Sequence, residues 1–378
     1  MVQDSRILKA IGADDGGAPL LAPVVSHVIE KVNRTLATHG DRFPHYTEAG
    51  CWIWTEDGRW TGGLWVGQLW IAYLQTGDTK YATAAWDLLP ILEARIERDD
   101  ANFDLGFVLV PSFVTGYRIL GEQRLRQVAL RGADRMLDFF SEKAGLLYTV
   151  YPEGGGSTVA IGKALIDIMP NLALLWWASG ETGDPKYYNV ARLHAERTRE
   201  LLVRPDGSTF QVVDFELNSG KILNRGTIHG YSNGSTWARG QAWGATGFAL
   251  AYRAVQSDGF RATAETLSRY FMNRLPEDGR AYWDLADPAI PACTRDSSAS
   301  AIMACGWLKM GGDWPMVGRR LIETLANRSL TENGCDGILS HGTAHKVQGR
   351  GLEQTTVWGD YFFMQGLAGE LVKDVCVL

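Results

Sequence analysis

The segment NGSTWARGQAWG, residues 233–244, sets two indoles, a guanidinium and an amide among small residues. In an extended chain Trp237, Arg239, Gln241 and Trp243 would share one face, because alternate residues point the same way. In a helix Arg239 and Trp243 would meet as an i, i+4 pair. Either arrangement places flat aromatic surface beside a cation and an amide. Indole faces stack on the C–H faces of sugars, and a guanidinium grips a carboxylate through a planar fork, so the set suits an acidic sugar. The competing reading is core filling, with the indole N–H groups satisfied internally. Spacing alone does not separate the two.

Two aspartates have surroundings that could tune them. Asp167 lies in KALIDIMPNLALLWWA, among nearly all-apolar neighbours, where an ionised carboxylate is unfavourable unless paired. Such burial raises a carboxyl pKa toward neutrality, as a proton donor requires. Asp104 precedes an apolar run in ANFDLGFVLVPSF. Each could equally be a helix cap, since Pro170 can open a helix after Asp167 and Asp104 stands where an N-cap would.

The histidines number 7. His229, in GTIHGYSNGSTW, sits just before the Trp/Arg cluster and is a candidate for the same pocket. His341 and His345, in SHGTAHKVQGRG, have metal-pair spacing, but the flanking glycines argue against a helix. A loop is expected there, either solvated or touching a ligand with Lys346 and Arg350. No GxGxxG, Walker, GxSxG or HExxH pattern occurs, which removes the usual nucleotide, serine-hydrolase and zincin readings. Neither a metal nor a cofactor is called for.

These residues need a frame, and the chain supplies one in repeated helix hairpins. Residues 64–91 show apolar residues at helical spacing, a Thr-Gly-Asp turn, then helical spacing again. The pattern returns around Gly121, Gly183, Gly259 and Gly312, as helix stops followed by new starts. Five turns give ten helices, and segments 24–36 and 356–371 add one at each end. Twelve amphipathic helices bury their apolar faces best by closing into a ring. The expected fold is therefore all-α, an (α/α)6 barrel formed as one domain over residues 1–378, with residues 1–22 as a poorly structured arm. A protein-binding solenoid fits less well, because the turn glycines are irregularly spaced. STFQVVDFELNSGKIL and GLLYTVYP read as short strands decorating loops at one end of the ring.

Composition narrows the partners. A formal charge of −6 and no Lys/Arg run leave no footprint for nucleic acid or an anionic membrane. No stretch approaches the roughly 20 apolar residues of a membrane span. The start carries no long apolar segment of a secretory signal, and the 5 cysteines form no CxxC pair, so a cytoplasmic location is expected. Nothing in the sequence sets an oligomeric state.

The chain resembles the unsaturated glucuronyl hydrolases, glycoside hydrolase family 88. The resemblance runs through GDRFPHY, WTGGLWVGQLW, FDLGF, LIDIMPNLALLWWASGETGD, GSTWARGQAWG, TRDSSASAI and TVWGDYFF. It implies an (α/α)6 barrel acting on lyase-generated oligosaccharides whose non-reducing uronic acid carries a C4=C5 double bond. It further implies that Asp167 is the general acid/base and Asp104 its carboxylate partner. Trp60, Thr227, His229, Arg239 and Trp243 would surround the sugar, and the loop at His345 would approach its carboxylate. The chain departs from the better-known members at Phe103, Gln211 and Ala344, where they have His, His and Tyr, so a different aglycone is implied. A hydrolase of unsaturated rhamnogalacturonan ends is the nearest alternative; a sugar epimerase or a non-catalytic sugar-binding protein stands further off.

Overall fold

The computed structural model describes residues 21–149, 161–372, 375 and 378. Twelve helices can be followed among them. Helix α1 spans Leu21–Thr38, and strands β1 (Phe43–Glu48) and β2 (Cys51–Thr55) form a hairpin before α2 (Gly62–Thr76) and α3 (Thr79–Glu93). Helix α4 runs from Leu105–Leu109 through a π-turn at Val110–Val114 into Thr115–Leu120, and α5 covers Gln123–Leu137. The short strands β3 (Phe140–Ser141) and β4 (Leu146–Leu147) pair, and β5 covers Ile161–Leu165. Helix α6 comprises Ile168–Asn171 and Ala173–Thr182, and α7 is Pro185–Leu202. Strands β6 (Val212–Glu216) and β7 (Ile222–Gly226) precede α8 (Ala238–Val255) and α9 (Asp258–Met272). The last three are α10 (Ser297–Leu308), α11 (Trp314–Arg328) and α12 (Val357–Ala368).

The even-numbered helices form an inner ring: α2 packs on α4, α4 on α6, α6 on α8, α8 on α10, α10 on α12, and α12 back on α2. The odd-numbered helices sit outside, each against its hairpin neighbour. The expected (α/α)6 barrel is therefore present. Inner helices are buried around most of their circumference, as α10 and α12 show, whereas outer helices such as α5 and α11 bury one stripe. Closure joins residues far apart in sequence: the Gln68 amide donates to the Val357 carbonyl at 3.0 Å across 289 positions. Close inner packing explains part of the WTGG motif, since a Cβ on Gly63 would lie 2.1 Å from the Val108 carbonyl oxygen. The π-turn of α4 has its own cause. Pro111 lacks an N–H, and the Ser112 carbonyl instead accepts the Trp70 indole N–H at 2.9 Å.

Three expectations need revision. Gly77, Gly121, Gly183 and Gly312 adopt the left-handed conformation as expected. Gly259 does not: it lies inside α9, and Gln256 takes the left-handed stop at φ 56°. The hairpin at 43–55 and strand β5 give no clear signal in the sequence, and β5–β6–β7 form one antiparallel sheet rather than loose decorations. In GLLYTVYP only Leu146–Leu147 form a strand, and its residues 150–152 lie outside the described residues. The arm expected at residues 1–22 also lies outside them, apart from Leu21 and Ala22, which begin α1. No described helix is long and apolar enough to cross a membrane.

Candidate active site

A cavity of about 580 Å³ opens at one end of the ring, a size suited to a small saccharide. Its floor is aromatic. Trp60 lies against Phe107 and Trp358, with ring centres 5.6 and 5.2 Å apart, and Phe107 against Trp243 at 4.9 Å. Trp60 and Trp243 both line the cavity, and Trp358 and Phe107 complete the surface.

Asp104 and Asp167 both line this cavity. Each occupies the position before a helix, α4 and α6 respectively, yet neither carboxylate caps it. The capping reading that the sequence left open is therefore removed. A single side chain sets the two helix starts against each other: the Asn171 Oδ1 accepts the Phe107 N–H at 2.6 Å, and its Nδ2 donates to the Asp167 carbonyl at 2.8 Å. Gly106 makes room for this contact, because a Cβ there would sit 2.5–2.6 Å from Asn171 atoms.

Both carboxyls are surrounded by protein except toward the cavity. Burial pushes Asp104 up to about 7, with a further push from the charge of Asp167 and a small opposing pull from Arg95. Burial likewise raises Asp167 to about 7, against the nearby Arg239 cation and the Gln211 amide. The Oδ2 of Asp167 has no hydrogen-bond partner among the described residues. The charge of Asp167 is felt at Asp104, so the two titrate as an interacting pair.

This arrangement opposes folding at alkaline pH. A carboxyl whose folded pKa lies above its unfolded value near 4 holds extra protons when folded, so stability falls as pH rises from about 4 to about 7 and stays reduced above. Asp104→Asn is therefore expected to match wild type near pH 4 and to exceed it near pH 8.5 by on the order of a few kcal/mol. Thermal or urea unfolding at the two pH values checks this, and an equal effect at both would contradict it.

The sheet carries the opposite wall. Asp167 follows β5, Gln211 precedes β6, and Thr227, Ile228 and His229 follow β7, so the adjacent strand ends bring these residues together. His229 lines the cavity, stacked on Trp237 at 4.5 Å and 16° and leaning on His345 at 4.3 Å. Thr227 does not reach the cavity wall. Its hydroxyl donates to Gln211 Oε1 at 2.8 Å and accepts the Gly230 N–H at 2.8 Å, so it shapes the turn.

The Trp/Arg cluster is helical from Ala238, with Trp237 at its N-cap position. Arg239 and Trp243 face the cavity together, while Gln241 points away and bonds Thr209, Gly207 and Leu267. Arg239 is held between the Trp237 and Trp358 rings, at 4.6 and 5.1 Å. It pairs with buried Asp296 and donates to the Thr343 and Ala344 carbonyls at 2.7 and 2.8 Å. Much of its donor fork is thus spent on anchoring the loop that carries His345, rather than left open to grip a ligand. His341 instead pairs with Glu353 at 2.5 Å.

Sequence reading missed several wall residues. His45 and Tyr46 arrive on β1, Arg59 precedes Trp60, Lys163 lies on β5, and Gln348 lies on the His345 loop beside Arg350, which the sequence had offered as a ligand contact. His45 is pushed down to about 4 by burial and by Arg59, so it is neutral. Of the cations on this wall, Lys163 is paired with Asp214 at 3.0 Å and Arg239 with Asp296, so Arg59 and Arg350 are the ones that favour an anionic ligand. Phe103 and Ala344, two of the departures from the family pattern, also line the cavity.

No family model matches the chain. It is 34% identical over 349 residues to the unsaturated glucuronyl hydrolase of Bacillus sp. (strain GL1), covering 88% of this chain and 92% of that one. It is 32% identical to the unsaturated chondroitin disaccharide hydrolase of Streptococcus pneumoniae (strain ATCC BAA-255 / R6), covering 91% of each. Among solved structures, the unsaturated glucuronyl hydrolase of Bacillus sp. GL1 superposes with a TM-score of 0.86 at 32% identity, over 92% of this chain and 96% of that one. That of Streptococcus agalactiae gives 0.89 at 27% identity, over 97% and 95%.

Proposed function

The chain belongs to the unsaturated glucuronyl hydrolases, and on that premise we propose that it releases the 4,5-unsaturated uronic acid from the non-reducing end of oligosaccharides. The observation that carries the reading is the carboxyl pair, both members held near neutrality, against an aromatic and cationic cavity wall. The names of the relatives are consistent with a uronyl unit on glycosaminoglycan-type disaccharides and do not favour rhamnogalacturonan ends.

The C4=C5 bond is conjugated to the ring oxygen and is an enol ether. Protonated Asp167 delivers its proton to C4, and the positive charge that forms is shared between C5 and the ring oxygen. Ionised Asp104, beside it, stabilises that charge. Water adds at C5 and loses a proton to Asp167, which restores the acid. The resulting hemiketal opens by breaking the bond between C5 and the ring oxygen, leaving a ketone at C5 and a hydroxyl on C1. C1 then bears both that hydroxyl and the neighbouring sugar, and this hemiacetal collapses to an aldehyde and the free sugar. The carboxylate spacing that separates retaining from inverting glycosidases does not govern this route, because the enzyme acts on the alkene and not at C1. The aromatic floor holds the ring, and Arg59 and Arg350 on the wall are the cations placed to hold its carboxylate.

The test is loss of the ultraviolet absorbance of the conjugated alkene across a panel of lyase-generated disaccharides. Turnover of unsaturated glucuronyl-hexosamines is expected; binding without loss of absorbance for every member would defeat the reading. The same assay gives a pH profile. The active form has Asp167 protonated and Asp104 ionised, so kcat/KM is expected to fall both below and above neutrality. A flat profile from about pH 5 to pH 9 would contradict that assignment. A cytoplasmic location accords with Cys51, Cys293, Cys305 and Cys335 forming no disulfide among the described residues.

A further inference from the structure

We propose that Gln211 is a positioning residue that locks the His229 imidazole in its neutral form with the proton on Nε2, making it a fixed hydrogen-bond donor to the sugar. The inference rests on the function proposed above only for the identity of the ligand.

The amide of Gln211 can be oriented without ambiguity. One terminal atom meets the N–H of Ile228 at 2.7 Å, the N–H of His229 at 2.9 Å and the Thr227 hydroxyl at 2.8 Å. Backbone N–H groups only donate, so this atom is the oxygen. The Thr227 hydroxyl already accepts from Gly230, which leaves its own proton free to point at Gln211. The other terminal atom is then the NH2 group, and it lies 2.6 Å from His229 Nδ1. An NH2 group cannot accept, so Nδ1 must be the unprotonated nitrogen and the ring proton of neutral His229 must sit on Nε2.

The ring has little freedom to escape this assignment. Its plane is fixed by stacking on Trp237 and by contact with His345. Burial, together with nearby Arg239 and His345, holds its pKa well below the usual histidine value, so a second proton is not taken up at working pH. Nε2 has no protein partner among the described hydrogen bonds, and His229 lines the cavity. A neutral Nε2–H therefore remains for a ligand oxygen. Such a donor binds without giving up or taking a proton, which keeps proton transfer on the aspartates. Residue 211 also braces the acid: its backbone carbonyl accepts the Ile166 N–H at 2.8 Å, and its side-chain amide favours ionised Asp167.

Labelling the histidines with 15N and recording their ring spectra without sugar tests the lock directly, with His229→Gln identifying the signal. Wild type is expected to show protonated Nε2 and bare Nδ1 from about pH 5.5 to pH 8. Gln211→Glu keeps the size and one oxygen for the three donors, but sets an acceptor opposite Nδ1. It is expected to move the proton to Nδ1 and to lower kcat/KM by about 10²-fold, as loss of one placed donor does, with the unfolding midpoint little changed. Gln211→Met, which has no amide, should leave a mixture of tautomers and an intermediate rate. A wild-type ring protonated on Nδ1 or on both nitrogens at pH 7 would overturn the proposal, as would Gln211→Glu with the wild-type spectrum. A shifted tautomer with wild-type kcat/KM would overturn the donor role. The spectrum needs no substrate, so the expected tautomer in a protein inactive on every unsaturated disaccharide would count against the proposed function alone.

Discussion

Asp167→Asn is expected to lose ~10³-fold or more in kcat, at the upper end of what a placed proton donor contributes, while KM stays within a few-fold of wild type. The amide is close in size to the carboxyl and keeps the backbone carbonyl that Asn171 holds. It cannot transfer a proton to C4 or take one from water. Because burial raises this carboxyl to about 7, its removal also relieves a penalty above neutrality, so the variant should unfold no more easily than wild type near pH 8. Initial rates from the ultraviolet assay and a urea titration give the two readings. A rate within tenfold of wild type would remove Asp167 from the proton path, whatever its position.

Arg239→Met carries the second large effect, chiefly in stability. The side chains of Arg239 and Asp296 are 4% and 1% exposed, so removing the cation strands a buried carboxylate. Breaking such a pair typically destabilises by about 3–5 kcal/mol. The Thr343 and Ala344 carbonyls lose their donors as well, which frees the loop bearing His345 and Arg350 and lowers activity. The double variant Arg239→Met, Asp296→Asn removes the stranded charge and should recover part of the loss in denaturant unfolding. If Arg239→Met instead weakened substrate binding with a stability change below about 1 kcal/mol, the guanidinium would serve the ligand and not the loop.

The sequence made the ring legible because its turns are local. Left-handed glycines at 77, 121 and 183 end helices within a few residues of the next start, and hairpin periodicity needs no long-range information. The aspartates were legible as candidates for a related reason: unpaired acids in apolar runs are unfavourable unless used. What the sequence could not convey was convergence. Thr227 reads as a sugar contact and proves to shape a turn, while Gln211 reads as a departure and proves to be the hub of the 227–230 segment. That difference depends on three strand ends meeting across a sheet, and strand pairing between residues 161–165 and 212–226 leaves no periodic trace. Arg239 was read from its chemistry alone; its partner Asp296 is 57 residues away and offers no signal of pairing. His45 and Lys163 were missed because each reaches the wall from a separate excursion.

The inner circle closes only where α12 seats between α10 and α2. During vectorial synthesis the flanks of those two helices stay unsealed until the last inner segment, Val357–Ala368, has left the ribosome. Gly67 and Gln68 of α2, which meet Tyr361 and the Val357 carbonyl of α12, must then wait through most of translation for these neighbours. Contacts of such long reach form slowly, and apolar surface exposed meanwhile invites misassembly. An open crescent of inner helices, not the closed ring, is thus the form of the chain most exposed to misassembly.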